Sequence, residues 1–347
     1  MKNRIKVQHY VPRFYLRRFS VEGKEGYLYC FDKLESRKFV VRDKNVACES
    51  YFYDTPKDAD LEIEQMFSWF ESKFHVKSDE LAATQDLGCL DYNVKEWMAY
   101  FIAMQHLRTK ESRKYFRESL ERHKKGLSSK KRYEEFVDQL KSGKRMIEYF
   151  PKECEAFWEK IYEGAKQIPS DRKGYEEWAN SFLLRIRRLS VDAPRAFHIL
   201  LMLECVPTFA EILCKRHWRI LVNRTRVPYW SSDHPVSIYS SADMRPRFDF
   251  LDVLMPDSEI YFPLTPTISI WICDPIISNS LPSNYEIGDI RNVKFQNSLQ
   301  VLSSTRYIFS NQNDFSLAED LTRHCALLMS SPASGFGANK PLQREGK

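Results

Sequence analysis

The feature that most constrains this chain is a hydrophobic period that changes twice along its length. Up to about residue 53 the pattern is extended. Residues 26–32 and 37–42 read as two short strands joined by a polar turn at 33–36, and Gly23 and Gly26 suit the turn that enters the first strand. From about 60 to 215 the period becomes helical, with Leu61, Ile63, Met66, Phe67, Phe70 and Phe74 recurring mostly at three- and four-residue steps. The clearest predicted helix runs from 94 to about 125. Others are expected at 131–141, 151–165, 174–189 and 195–214, with a polar, insertion-like stretch at 126–145. From 218 the extended pattern returns at 218–223, 228–230, 260–262, 268–273 and 306–310, interrupted by a short helix at 290–303. The expectation is an α+β fold: a mostly antiparallel sheet built from N- and C-terminal strands around a long helical middle. One domain over 1–315 is expected, with a disordered tail at 330–347 where Ser, Gly, Pro and charge dominate.

Composition narrows the function classes. Of 347 residues, 43% are hydrophobic and 14% aromatic, enough to build a core without metal or disulfide staples. Glycine is scarce, and neither GxxxxGK[ST] nor GxGxxG occurs, which disfavours P-loop and Rossmann nucleotide sites. The eight cysteines form no CxxC pair and the N-terminus has no apolar signal region, so reduced thiols in a cytoplasmic protein are expected. No run of about 18 apolar residues is present, so no membrane span is expected. The net charge of +6 permits a nucleic-acid partner without indicating one. The basic residues of 110–145 are interspersed with Glu, as on a solvated helix face.

Several segments then stand out together: QHYVPRFYLRRF at 8–19, NVA at 45–47 before Tyr51, Phe52 and Tyr53, Ile63 with Glu64 and Glu71, and FIAMQHLRT at 101–109. They are followed by SDHPV at 232–236, FPLTP at 262–266, and Asn297 with RYIFS at 306–310. In this order they resemble a bacterial family known as domain of unknown function 4238, with His234 where Asn is the expected residue. The resemblance spans roughly residues 5 to 312 and implies no activity.

The candidate chemistry lies in polar residues set within apolar runs. His9, His106 and Asp233 are the candidate acid–base groups, and Arg13, Gln105 and Arg108 the candidate substrate-binding ones. A hydrolase acting on a phosphate-bearing substrate, with nucleic acid the leading candidate, would use Asp233 with a histidine for proton transfer and the arginines for anionic oxygen. The alternative is a non-catalytic binding or regulatory module, a defence-associated protein being one such, whose polar cluster is structural. In that reading Gln105 and Arg108 anchor the N-terminal segment through backbone bonds, and Asp233 is the salt-bridge partner of Arg108. The arginines and aromatics of 10–18 fit either a single-stranded nucleic-acid clamp or an amphipathic helix docked on a core. Glu64 and Glu71 share a helix face that is solvated, salt-bridged or, less simply, metal-binding. No HExxH or HxH occurs, so no metal site is expected, and no cofactor is indicated.

Overall fold

The computed structural model describes residues 7–50, 52–53, 60–85, 92–114, 194–248, 252–253, 257–273 and 284–324. The helices expected at 131–141, 151–165 and 174–189, the stretch 126–145 and the tail at 330–347 lie outside the described residues.

The chain opens with β1 (Val7–His9), α1 (Arg13–Arg17), β2 (Tyr27–Asp32) and β3 (Arg37–Arg42). A 3-10 turn (Asp43–Asn45) leads into β4 (Cys48–Ser50). The β2–β3 turn forms because Asp32 Oδ1 accepts the main-chain N–H groups of Leu34 (3.1 Å) and Glu35 (3.3 Å), a local bond that Asp makes better than most residues. Next come α2 (Asp60–Thr84), α3 (Tyr92–Leu107) and α4 (Pro194–Lys215). The remainder is β5 (His217–Asn223), β6 (Ser231–Ser232), β7 (Ser237–Ser240), β8 (Arg245–Arg247), β9 (Ser258–Thr265), β10 (Ile268–Cys273), β11 (Asn284–Ile287), α5 (Ile290–Ser303), β12 (Tyr307–Ser310) and α6 (Ser316–His324).

The α+β class is as expected, and both chain ends do share a sheet. That sheet has the order β3-β2-β12-β6, with Asp32 opposite Tyr307 and Tyr29 opposite Ser310 in antiparallel register. The later strands also build a second sheet of their own, ordered β11-β5-β10-β9-β7-β8, in which the β11–β5 pair alone is parallel. A small ribbon pairs β1 with β4. Residues 228–230, expected as a strand, join no ladder; the Tyr229 N–H donates to the Pro266 carbonyl (2.8 Å), the Trp230 N–H donates to Asn297 (2.9 Å), and β6 begins just after them.

Helix α3 sits in the middle of this arrangement. Val94, Met98, Ala99, Phe101, Ile102, Ala103, Met104 and Leu107 are all buried, so it presents apolar surface on every side, as an interior helix must. Phe101 meets Phe74 of α2 (4.8 Å between ring centroids) and Phe262 of β9 (5.7 Å), and Tyr15 of α1 stacks on Phe262 at 5.1 Å. Each such ring contributes about 1.5–3 kcal/mol by leaving water. The consequence for function is geometric. An interior helix that ends Gln105-His106-Leu107 carries its polar residues inward with it. The helix was expected to run to about 125. It breaks instead at Arg108 and Thr109, and helical residues resume at 110–114.

Candidate functional site

Gln105 and Arg108 are sealed in the interior, at 0% and 1% exposure. Gln105 Nε2 donates to the Tyr10 carbonyl at 3.0 Å, and Arg108 Nη2 donates to the His9 carbonyl at 2.6 Å. Together they hold the first strand and the start of α1 against α3. Arg108 Nε also donates to the Tyr53 hydroxyl (2.9 Å), and its guanidinium lies 4.8 Å from the centre of the Phe67 ring. Its carboxylate partner is Glu71 of α2, at 2.9 Å, and this corrects the expectation that Asp233 fills that role. Burial works against the Arg108 charge, but Tyr53 and Glu71 more than offset it, so the guanidinium stays protonated. Glu71 therefore takes the salt-bridged role among those open to it. The Glu64 side chain lies outside the described residues.

Asp233 sits elsewhere, in the loop between β6 and β7. Its Oδ1 accepts the Thr305 N–H at 2.8 Å, and its Oδ2 accepts those of Arg306 (2.8 Å) and Tyr307 (3.1 Å). Burial raises its pKa to about 6, while Lys33 and the three amides pull the other way. Lys33, fully buried, donates to the carbonyls of Val301 (3.3 Å) and Ser304 at the end of α5, and burial lowers it to about 8 against the pull of Asp233 and Glu111. The neighbouring His234 is joined to Thr109 Oγ1 by its Nδ1 at 2.6 Å and faces the His106 ring 5.5 Å away. Burial, the His106 ring and Lys33 hold His234 well below the ordinary histidine range. Ser112 Oγ donates to the His106 carbonyl at 2.5 Å, tying down the break after α3. Asp233 and His106 thus belong to one buried knot, linked through His234.

Arg13 and His9 meet at a third place. Arg13 Nε (3.1 Å) and Nη2 (3.4 Å) and Arg17 Nε (2.9 Å) all donate to the carboxylate of Asp43. The His9 ring bonds to the Asp43 main chain, and burial followed by the Arg13 charge lowers its pKa. Asp43 is itself buried, which would raise its pKa, yet the hydrogen bonds from Arg13 and Arg17 hold it below the usual carboxylate range. Both arginine side chains remain 43% exposed.

The six candidates therefore fall into three groups: Gln105 with Arg108, Asp233 with His106, and Arg13 with His9. The first and third are linked through the His9 main chain, which Arg108 binds, and the Arg108 charge also acts on the His9 ring. Sequence reasoning missed Lys33, Glu111 and Asp43. Lys33 follows a strand and opens a turn, where a lysine reads as solvated, so nothing local announced its burial. Asp43 did carry a signal, a single acid between Arg42 and Lys44. Among the described residues no group of three or more His, Cys, Asp or Glu could hold a metal ion. Nor is any described helix long and apolar enough to cross a membrane.

Comparison with known proteins adds one finding. No curated protein and no solved structure matches the chain. The signature of one family, described as "Protein of unknown function (DUF4238)", matches residues 7–314, nearly all of the sequence up to α6. The resemblance of its QHYVPRFYLRRF, FIAMQHLRT and SDHPV segments is thereby accounted for: this chain belongs to the DUF4238 family.

Proposed function

We propose that the protein is a non-catalytic module that binds a phosphate-bearing ligand, and that the buried members of its polar constellation are structural. One observation carries this reading: Asp233, the carboxylate best placed to be a general base, has both oxygens engaged by three main-chain N–H groups. A base must reach the proton it removes. Asp233 is only 2% exposed, and the groups around it belong to the protein's own backbone. Among the described residues, Cys30, Cys48 and Cys214 form no disulfide, which supports a reducing, cytoplasmic setting as part of the same reading.

A hydrolase remains the second reading, on a specific observation. Asp233 raised to about 6 and Lys33 lowered to about 8 are displaced toward each other in one knot, as acid–base pairs often are. The test is an assay of phosphomonoester and phosphodiester hydrolysis with Mg²⁺ or Mn²⁺, run beside the thermal unfolding of Asp233→Asn. Asn offers one acceptor oxygen where the carboxylate offers two, so at least one amide loses its partner at a cost of about 1–3 kcal/mol. The module reading expects no turnover and a melting temperature lowered by several degrees. Turnover by the wild type that Asp233→Asn abolishes at unchanged melting temperature would overturn it.

A further inference from the structure

We infer that Arg13 and Arg17 form a preorganised binding site for the phosphoryl group of a ligand, with Asp43 as the buried group that fixes them. The inference rests on the module reading above and names the place where the ligand meets the protein.

The site begins in the sequence. Arg13 and Arg17 are four apart on α1 and so share one face of that short helix. The face lies over the 3-10 turn, where Asp43 is locked from several sides. Its own N–H donates to the Gly26 carbonyl (2.8 Å), and its Oδ1 accepts the Lys44 N–H (2.7 Å). Gly26 lies at φ +77°, and a Cβ there would come within 3.4 Å of Asp43 Oδ1, so the close approach and the left-handed backbone both favour glycine.

A carboxylate held this way needs one cation, and it has two. Each guanidinium carries five N–H donors. Arg13 commits Nε and Nη2 to Asp43 and Arg17 commits Nε, which leaves the Nη1 side of each turned away from it. Among the described residues the one further carboxylate in reach is Glu25, 3.9 Å from Arg17 and 81% exposed, a contact worth little in water. Arg42 and Lys44 flank Asp43 in the chain, are exposed, and form no ion pair among the described residues. At the site itself, two guanidinium cations therefore share one buried carboxylate, while Arg42, whose guanidinium lies 5.1 Å over the Tyr27 ring, and Lys44 add positive charge beside it in the chain.

This surplus suits an anion carrying more than one negative charge. The planar, outward forks of two arginines match the spaced oxygens of a phosphoryl group better than a lone point charge would. Because the arginines are already held in place, less side-chain entropy is lost on binding. A free phosphate compound and the backbone of a nucleic acid present the same chemistry, and the experiment separates them.

The full chain is titrated with inorganic pyrophosphate by calorimetry and with a fluorescein-labelled single-stranded oligonucleotide by anisotropy, using wild type, Arg13→Gln and Arg17→Gln. At least one probe is expected to bind, and each substitution to weaken it about tenfold, the value of one charge-assisted hydrogen bond. Pyrophosphate binding alone identifies a small phosphate compound; oligonucleotide binding identifies a nucleic-acid backbone. Phenylglyoxal modification of the wild type, mapped by mass spectrometry, gives a second reading that needs no variant: the bound probe should protect Arg13 and Arg17. The site is overturned if neither probe binds, if variants that melt like wild type bind like wild type, or if the two arginines are not protected. Hydrolysis of either probe would instead defeat the module reading and leave the site standing.

Discussion

At the scale of single residues, the informative contrast is between the two ends of one ion pair. Arg108 is wholly buried and joins the His9 carbonyl, the Tyr53 hydroxyl and Glu71. Glu71 keeps 27% of its side chain exposed. Removing the carboxylate strands a buried charge that still has its two other acceptors. Removing the guanidinium strands no charge, since Glu71 can turn to water, but it releases the whole N-terminal segment from α3. Arg108→Met removes three hydrogen bonds of a buried guanidinium at about 1–1.5 kcal/mol each and is expected to cost about 3–5 kcal/mol. Glu71→Gln, whose amide oxygen can still accept from Arg108, is expected to cost about half of that or less. Urea unfolding of both variants checks the order, and equal losses would mean that the ion pair, and not the anchoring of the His9 carbonyl, dominates. The sequence showed that a buried arginine at this position needs partners. It could not show which carboxylate, because Glu71 and Asp233 are both far from it along the chain and only the packing of α2 on α3 decides between them.

At the scale of elements, α5 shows how a strand residue can finish a helix. The helix opens on Asp289, whose side chain accepts the Arg291 N–H, and it closes on Lys33, which reaches from the end of β2 to the carbonyls of Val301 and Ser304. A cation there satisfies orphan carbonyls and meets the negative end of the helix dipole. Lys33→Met should cost about 1–3 kcal/mol. Hydrogen exchange should quicken at the last turn of α5 and at residues 305–307, with α2 unchanged; uniform quickening would mean that Lys33 serves the whole fold and not this junction. The bounds of α5 and, within a residue, of the β2–β3 hairpin were legible in the sequence; for the hairpin, alternation and turn residues are the local signals, while the Asp289 cap of α5 emerged only from the structure. The β7–β8 hairpin, β11 and α6 were not expected. β8 is three residues long, and β11 is held by parallel pairing to a strand some sixty residues earlier, so neither leaves a pattern in its own window. The break after α3 was equally hidden, since it is set by Thr109 meeting His234 across the interior.

At the scale of the whole molecule, burying so many polar groups ties stability to pH, and His198 offers the clearest handle. It sits on α4, fully enclosed, and its Nε2 bonds to the Leu107 carbonyl at 2.7 Å, so it links α4 to the end of α3. Burial lowers its pKa from 6.5 to about 3, with Arg113 adding to the effect and the bond to Leu107 opposing it. The folded protein therefore keeps His198 neutral while the unfolded chain binds a proton below pH 6.5. Its stabilising contribution is complete above 6.5 and is lost as pH falls toward 3, by about 1.4 kcal/mol per unit. Asp233 acts in the opposite sense. Its pKa is raised from 3.8 to about 6, so its contribution is present below 3.8 and lost as pH rises through 6. The two partly cancel in the wild type, which makes a raw pH profile a poor test of either. His198→Gln separates them, because glutamine can still donate to Leu107 and does not titrate. Between pH 7 and pH 5 the wild type should lose about 2 kcal/mol more than the variant in urea unfolding. A difference that stays flat across that range would mean that His198 is protonated in the folded protein, and that the junction between α3 and α4 tolerates a charge where its burial says it should not.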